Sequence, residues 1–287
     1  MHPDELIQRI TQSRAAPPAG EQLELLLALT RVYEEAGVLS VDPLPALHRA
    51  CPMASACWGG VRPTGRPTGV GKFDPASENG CIVLPWVGPR SRRGGVCVLG
   101  LNLRYGGGDT EFAAEHRIAR EPQWGQEEAL RGRHKAHGSP WAAATMRDAA
   151  AVSRAQRGLD PETRDPDELA ETLLSTARVQ IVKCSPIGGR SSPEPAMIAN
   201  CPRRYLAREI AVLQPKALLV YGRAAHGALP ELGKLVIEEE DGGFRRGEVQ
   251  PTPSERVIVL LLTHPSNGGW RRAHDALVRS LRARPAI

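Results

Sequence analysis

The sequence contains no apolar stretch that approaches the ~20 residues needed to span a bilayer. Its first ten positions include acidic and basic residues, so we expect no signal peptide, a cytoplasmic location and no membrane partner. The chain also lacks the dinucleotide-binding fingerprint, the phosphate-binding P-loop and a His-Glu-x-x-His spacing. The scattered His116, His134, His137 and His226 therefore disfavour a metal-dependent hydrolase.

Composition indicates a globular protein with a mild preference for a polyanionic partner. The 287 residues are 41% hydrophobic, which is enough for one large α/β domain or two small ones. The net charge is +5, although 37 Lys and Arg are offset by 32 Asp and Glu. Basic runs at 90–93, 203–204 and 271–272 would suit a phosphate track, but each run alone is more typical of a solvated face.

Hydrophobic periodicity predicts an α/β fold. Four apolar runs, at 96–101, 179–182, 217–220 and 257–262, are typical of buried strands in a parallel sheet. Helical patterns at 142–157, 167–175, 205–213 and 271–282 lie between or after them. We therefore predict a three-layer α/β/α sandwich with a central, mainly parallel four-stranded sheet.

Two further segments define the domain organisation. Helical patterns at 5–10 and 21–35 flank a Pro-Pro-Ala-Gly break and predict an N-terminal helical extension over residues 1–50. Residues 51–287 form the main domain in this interpretation. Residues 58–78 are rich in Gly, Pro, Arg and Thr without periodicity, so we interpret them as a long loop.

The turns that follow the four predicted strands are where chemistry is expected, because ligands of open α/β sheets bind beyond the carboxyl ends of the strands. The first run leads into GLNLRYGGGD, which begins at Gly100, and backbone can approach a ligand closely there. The second leads into KCSPIGGRSSP and the third into YGRA. The fourth leads into HPSNGGW, which puts His264 directly after a buried run and favours a functional role for it.

In this order and spacing, the Lys-Cys pair, the Pro and Arg turn, the second Cys, the Gly-Arg-Ala and the His-Pro-Ser resemble the iron-sulfur uracil-DNA glycosylases of the uracil-DNA glycosylase superfamily. The resemblance covers roughly 96–281, with an insertion at about 110–165 that does not align. It implies a monofunctional enzyme that flips a pyrimidine nucleotide out of DNA, hydrolyses its N-glycosidic bond and leaves an abasic site. DNA is the expected partner, and a monomer is the expected state.

The resemblance implies two catalytic residues. Asn102 corresponds to the Asn of the water-activating motif in the mismatch-specific and single-strand-selective classes, although Leu103 replaces their usual Pro. Its amide can orient water but cannot remove a proton at neutral pH. His264 corresponds to the histidine that donates a hydrogen bond to the pyrimidine O2, where negative charge gathers as the base leaves.

Gln180 stands where the family has a uracil-reading Asn. The longer amide has the same donor and acceptor, so it would read a pyrimidine edge in a pocket of changed depth. The substrate is therefore either uracil, which implies base-excision repair, or a modified pyrimidine of phage DNA, which implies antiviral defence. The other substrate-binding candidates are Gly100, Leu101, Ser266, Tyr105 and Phe112; the two aromatic residues compete to stack on the base, and core packing explains Phe112 equally well.

The residues after the His-Pro-Ser motif resemble the loop that enters the minor groove and fills the space left by the flipped nucleotide. The DNA-binding candidates are Asn267, Gly268, Gly269, Trp270, Arg271 and, in the turn after the second strand, Arg190. Trp270 has an alternative role as an anchor of the last helix.

Six cysteines in a reducing compartment are not expected to form a disulfide framework. Cys184 and Cys201 stand where the iron-sulfur glycosylases have their second pair of cluster ligands. Cys51 and Cys57, with five residues between them, replace the family's Cys-x-x-Cys. The resemblance implies a structural [4Fe-4S] cluster on these four thiolates, with zinc as the second candidate. The other two cysteines lie in apolar surroundings and are interpreted as small hydrophobes.

A function of another class is also open, namely a DNA-binding protein that has kept the fold and lost catalysis. The Asn102 amide in place of a carboxylate favours this alternative. The intact His-Pro-Ser motif at His264 argues against it.

Overall fold

The computed structural model describes residues 20–37, 53, 57, 85–101, 141–163, 165–183, 193, 195–252, 255–265 and 267–284. Its helices are α1 (Gly20–Glu35), α2 (Trp141–Gln156), α3 (Pro166–Ser175), α4 (Pro195–Cys201), α5 (Ala207–Leu213), α6 (Arg223–His226) and α7 (Trp270–Ala283). Its strands are β1 (Trp86–Val87), β2 (Val96–Gly100), β3 (Ala177–Gln180), β4 (Ala217–Tyr221), β5 (Lys234–Asp241), β6 (Phe244–Thr252) and β7 (Glu255–Leu262). A π-helical turn, Pro202–Leu206, joins α4 to α5. None of the described helices has the length and apolar character that crossing a membrane requires.

The strands form one sheet in the order β1-β3-β2-β4-β7-β6-β5. Its centre consists of four parallel strands at the predicted places, although β3 spans 177–180 and not the predicted 179–182. Every residue of β2 and β4 is buried, as expected where helices cover both faces of a parallel sheet. The predicted α/β architecture with a mainly parallel centre is confirmed.

The sheet has seven strands rather than the predicted four. The short β1 pairs antiparallel with β3, and the β5–β6 hairpin extends the sheet antiparallel beyond β7. Along β5, exposed and half-buried residues alternate, so this edge strand has no apolar run. A sequence signal was nevertheless present, because Gly242 and Gly243, with φ of 55° and 90°, form the two-residue glycine turn typical of a hairpin.

Helices cover both faces of the sheet and create two cores. The side chains of β4 alternate between them, as the period of a strand requires. Leu218 and Val220 belong to the core beneath α1, α4 and α5, whereas Leu219 and Tyr221 belong to the core beneath α2 and α7. This is the predicted three-layer arrangement.

Two helices outside the central pattern are integral to these cores. In α1, Leu25, Leu29 and Tyr33 are fully buried, and the Tyr33 ring stacks on Tyr205 with 5.4 Å between the ring centroids. α2 falls within the stretch 110–165 that sequence analysis interprets as an insertion, and its Val152 packs in the second core. The helix expected at 5–10, the loop expected at 58–78 and residues 102–140 lie outside the described residues.

Candidate functional site

The carboxyl ends of β3, β2, β4 and β7 lie at one edge of the sheet, because these strands are parallel. That edge brings together the residues that end each strand or directly follow it. Gly100 ends β2, Gln180 ends β3, Tyr221 ends β4, and His264 follows β7 by two residues. Three of the sequence-predicted site residues, Gly100, Gln180 and His264, therefore lie at the edge where ligands of α/β folds bind.

Gln180 and Gly100 are direct partners at this edge. They are paired in register, and the Ile181 amide donates a hydrogen bond to the Gly100 carbonyl at 2.9 Å. A Cβ atom at position 100 would lie 2.5 Å from Gln180 Oε1, so the carboxamide occupies the space above the glycine. Leu101 follows Gly100 and packs against the core beneath α1. The absence of a side chain at Gly100 is what lets the Gln180 amide lie there.

The side-chain oxygen of Gln180 lacks a hydrogen-bond partner within the described part of the chain. The residue is only 6% exposed, so water does not replace that partner freely. A buried polar atom left unsatisfied costs about 1–3 kcal/mol. Gln180 Oε1 is therefore an acceptor that a ligand N–H group can satisfy.

His264 is half-buried and rests on the end of β4. A Cβ atom at Gly222 would be in ordinary contact with His264 Cβ, at 3.6 Å. The Asn267 amide donates to the His264 carbonyl at 2.8 Å and closes a turn over residues 264–267. His264 is thus held by the backbone on both sides.

The β5–β6 hairpin, which sequence analysis missed, supports the residue just before His264. The Gly243 carbonyl accepts two hydrogen bonds from Thr263, one from its amide and one from Oγ1, each 3.1 Å long. The hairpin turn therefore fixes the start of the His264 segment.

A buried carboxylate, Asp148 on α2, fixes the other end of that segment. Its Oδ2 accepts hydrogen bonds from the Tyr221 hydroxyl at 2.7 Å and the Trp270 indole at 3.0 Å, and its Oδ1 contacts His274 Nδ1 at 2.6 Å. Asp148 is fully buried. Sequence analysis missed Asp148, Tyr221 and His274, although a single carboxylate inside the apolar run AAATMRDAAAV was a usable signal.

The charge of Asp148 alters the titration of its neighbours. Burial opposes protonation of His274, but the hydrogen bond and the charge of Asp148 outweigh it and raise the pKa of His274 above its usual value. Burial, together with the same carboxylate, raises the pKa of Tyr221 well above its usual value. Tyr221 is therefore a neutral donor, and His274 has a stabilised protonated form.

The indole N–H of Trp270 points inward to Asp148, and its ring contacts the His274 ring with 5.4 Å between the centroids. This geometry fits the alternative role given to Trp270 above, that of an anchor for the last helix. The other described DNA-binding candidates are exposed around the beginning of α7, namely Asn267, Gly268, Gly269 and Arg271.

A buried ion pair lies behind the Gln180 strand end. Lys183 Nζ is 2.5 Å from Glu209 Oε2 and also donates to the Gln180 carbonyl, and both charged side chains are almost completely buried. The Tyr33 hydroxyl donates to the other oxygen of Glu209. Burial and then the Glu209 charge raise the pKa of Tyr33, which stays a neutral donor. This network joins α1, α5 and the end of β3.

Two of the four predicted cluster ligands lie at one helix. Cys57 Sγ contacts the Ala196 carbonyl at 3.8 Å and the Asn200 amide at 3.5 Å, and Cys201 is the last residue of that helix, α4. Both thiols are buried in the same core. The described residues contain no group of three or more metal-ligating side chains. The other two predicted ligands, Cys51 and Cys184, lie outside the described residues. So do the site candidates Asn102, Tyr105, Phe112, Arg190 and Ser266.

Comparison with known proteins adds one match. The family model of the uracil DNA glycosylase superfamily matches residues 132–281, just over half of the chain. The matched region contains Asp148, Gln180 and His264 and excludes Gly100. No curated protein matches the chain.

Proposed function

Because the chain belongs to the uracil DNA glycosylase superfamily, we propose that it is a monofunctional DNA glycosylase acting on uracil or a modified pyrimidine. It flips the nucleotide out of the stack, hydrolyses the N-glycosidic bond and leaves an abasic site. The observation that carries the proposal is the buried Gln180 Oε1, which has no hydrogen-bond partner among the described residues and lies at the same end of the sheet as His264. An acceptor at the end of β3 and an imidazole after β7, at the same end of the sheet, suit a planar base with an N–H group and a carbonyl.

Gln180 reads the base. Its Oε1 accepts a hydrogen bond from a pyrimidine N–H, such as N3–H of uracil, and its amide nitrogen donates to a ring carbonyl. Gly100 leaves the space that the carboxamide occupies, because a Cβ atom there would lie 2.5 Å from Gln180 Oε1. The reader is one methylene longer than the family's Asn, so the pocket favours a base placed differently from the family's uracil.

His264 stabilises the leaving base. Its N–H donates to the pyrimidine O2 as negative charge develops there during bond cleavage. Asn102 orients the water that adds to the sugar, and a lysine nucleophile is not needed. Lys183, the lysine at the site's edge, is held in the buried ion pair with Glu209.

DNA binds at the beginning of α7. Asn267 and Gly268 are exposed in the turn after His264 and fill the space of the flipped nucleotide, while Arg271 and Arg190 contact phosphates. The enzyme acts as a monomer in the cytoplasm. Excision of uracil serves base-excision repair, and excision of a bulky modified pyrimidine serves defence against phage DNA.

A [4Fe-4S] cluster on Cys51, Cys57, Cys184 and Cys201 completes the proposal, with zinc as the second candidate. The two described thiols support it, because both are buried against α4 and come from segments far apart in the chain. When bound, such a cluster supplies a structural crosslink and no redox step. The four cysteines would join the N-terminal segment to the region around α4.

The proposal is tested with purified protein and end-labelled oligonucleotides that contain uracil, a modified uracil or a modified cytosine. Alkali converts abasic sites into strand breaks, which a gel resolves. We expect breaks with the wild-type protein and none with the His264→Ala variant, whose fold is checked by thermal unfolding. Breaks at uracil alone establish the repair substrate, and breaks at a modified base alone establish the defence substrate. DNA binding without breaks on any substrate contradicts the proposal and establishes the catalytically inactive DNA-binding protein.

A further inference from the structure

We propose that Asp148 is a positioning residue for the His264 loop, defined as residues 264–269, and that it acts by holding the Trp270 indole. The proposal builds on the glycosylase function above, since the loop carries the group that stabilises the leaving base. Asp148 lies on α2, more than a hundred residues before the loop in sequence.

The His264 loop is short and is tied at both ends. Thr263 precedes it and is bonded twice to the Gly243 carbonyl of the β5–β6 hairpin. Trp270 follows it as the first residue of α7 and donates its indole N–H to Asp148 at 3.0 Å. The first tie is made by backbone and a threonine hydroxyl. At the second, the Ala273 amide donates to the Gly269 carbonyl at 3.1 Å, and the Trp270 side chain adds the bond to the buried carboxylate.

A continuous chain of hydrogen bonds leads from Asp148 to His264. The Trp270 amide donates to the Asn267 carbonyl at 3.1 Å, and the Asn267 amide donates to the His264 carbonyl at 2.8 Å. A shift of Trp270 is therefore passed through two backbone hydrogen bonds to His264. The exposed glycines at 268 and 269 add no side-chain contact that would resist such a shift.

The carboxylate is suited to this role by its burial and its donors. A fully buried charge is kept only where hydrogen bonds satisfy it, and Asp148 has donors from β4 and from α7. Hydrogen bonds to an ionised carboxylate are roughly twice as strong as neutral ones. His274, one turn after Trp270, binds the other carboxylate oxygen at 2.6 Å and adds a second attachment of α7.

A small displacement of His264 is expected to have a measurable effect on catalysis. A misplacement of a catalytic group by about 1 Å can reduce a rate by roughly 10²-fold. Asp148 Oδ2 accepts hydrogen bonds from two side chains, Trp270 and Tyr221, and either donor can be removed by a similar substitution. The Trp270 residue directly follows the loop, whereas Tyr221 precedes Gly222, which lies beside His264 through its backbone.

The experiment compares Trp270→Phe with Tyr221→Phe, each of which removes one donor to Asp148 and keeps an aromatic ring. Amide hydrogen exchange of residues 264–269 is measured without DNA. Single-turnover excision is measured on the oligonucleotide from which the wild-type protein excises a base, at a temperature where all variants are folded. We expect W270F to accelerate exchange in the loop and to slow excision roughly 10- to 100-fold. Y221F is expected to leave loop exchange at the wild-type level, whatever its melting temperature.

Equal loop exchange in W270F and Y221F overturns the proposal, as does wild-type exchange in W270F. If W270F does not fold, Asp148→Asn takes its place, since it keeps the side-chain shape and removes the charge, and it is expected to accelerate exchange in the same loop. If the wild-type protein excises no base, the glycosylase function fails, and the exchange comparison still decides whether Asp148 positions the loop.

Discussion

Gly100 and Gln180 are fitted to each other across β2 and β3: a Cβ atom on Gly100 would lie 2.5 Å from Gln180 Oε1. That distance is shorter than real Cβ contacts allow, so any side chain at position 100 displaces the carboxamide. The displaced atom is the end of a flexible side chain, so it can move without moving the backbone. The pair therefore allows the proposed base-reading group to be disturbed while the fold is retained.

Gly100→Ala is expected to reduce excision at least about 10-fold, because it turns the Gln180 carboxamide away from the base and forfeits a hydrogen bond worth roughly 1–2 kcal/mol. The free energy of unfolding should change by no more than about 1 kcal/mol. Excision kinetics and urea unfolding check the two statements. Gln180→Asn in the Gly100→Ala background withdraws the amide by one methylene and should restore part of the uracil activity. Unchanged excision in the single variant means that Gln180 does not read the base.

The pair of His274 and Asp148 predicts a pH dependence of stability. The pKa of His274 is raised in the folded protein above its ordinary value of 6.5, so its contribution is complete below that value and is lost as the pH rises through the folded pKa. The unfolding free energy of wild type minus that of His274→Gln should therefore be largest near about pH 5.5 and decline toward about pH 8.5. Urea unfolding at several pH values measures it.

His226 provides a control of opposite sign. Burial lowers its pKa, so its contribution is present above the ordinary value and is lost as the pH falls. The unfolding free energy of wild type minus that of His226→Gln should therefore increase as the pH rises. If the difference in unfolding free energy for His274→Gln also increases as the pH rises, the assigned pairing of His274 with Asp148 is contradicted.

Lys183→Met is expected to destabilise the protein by about 3–5 kcal/mol, because it leaves the Glu209 carboxylate buried without its cation. Both side chains are nearly inaccessible to water, at 1% and 0% exposure. The double variant Lys183→Met/Glu209→Gln removes both charges and should be more stable than Lys183→Met alone. Chemical unfolding of the three proteins tests this order, and a double variant that is less stable than the single one contradicts it.

The central sheet could be predicted from sequence because β2, β4 and residues 257–262 of β7 are continuous apolar runs, the pattern typical of strands that are covered on both faces. β5 could not be found in that way, since its residues alternate between exposed and half-buried. Asp148 was missed for a different reason. Its donors Tyr221 and Trp270 are 73 and 122 residues away, and no local spacing connects a helix carboxylate with partners that only the fold brings close.

The cluster proposal is tested by two alanine variants of equally buried cysteines. Cys201 lies at the end of α4 near Cys57, whereas Cys97 lies within β2, where burial raises the pKa of its thiol and keeps it protonated. Each variant removes one sulfur atom from a core, so the loss of packing is similar, and only Cys201→Ala removes a proposed ligand. Protein purified without oxygen should be brown and contain about four iron and four sulfide per chain.

Cys201→Ala should lose the colour and the iron and melt at a lower temperature than Cys97→Ala, which should keep both. The physical reason is that a metal site contributes its binding free energy to folding, so its loss adds to the packing loss that both variants share. Metal analysis, visible absorbance and thermal unfolding measure the difference. A colourless wild-type protein with about one zinc per chain selects zinc for the same ligands. Equal metal content in the two variants removes Cys201 from the ligand set.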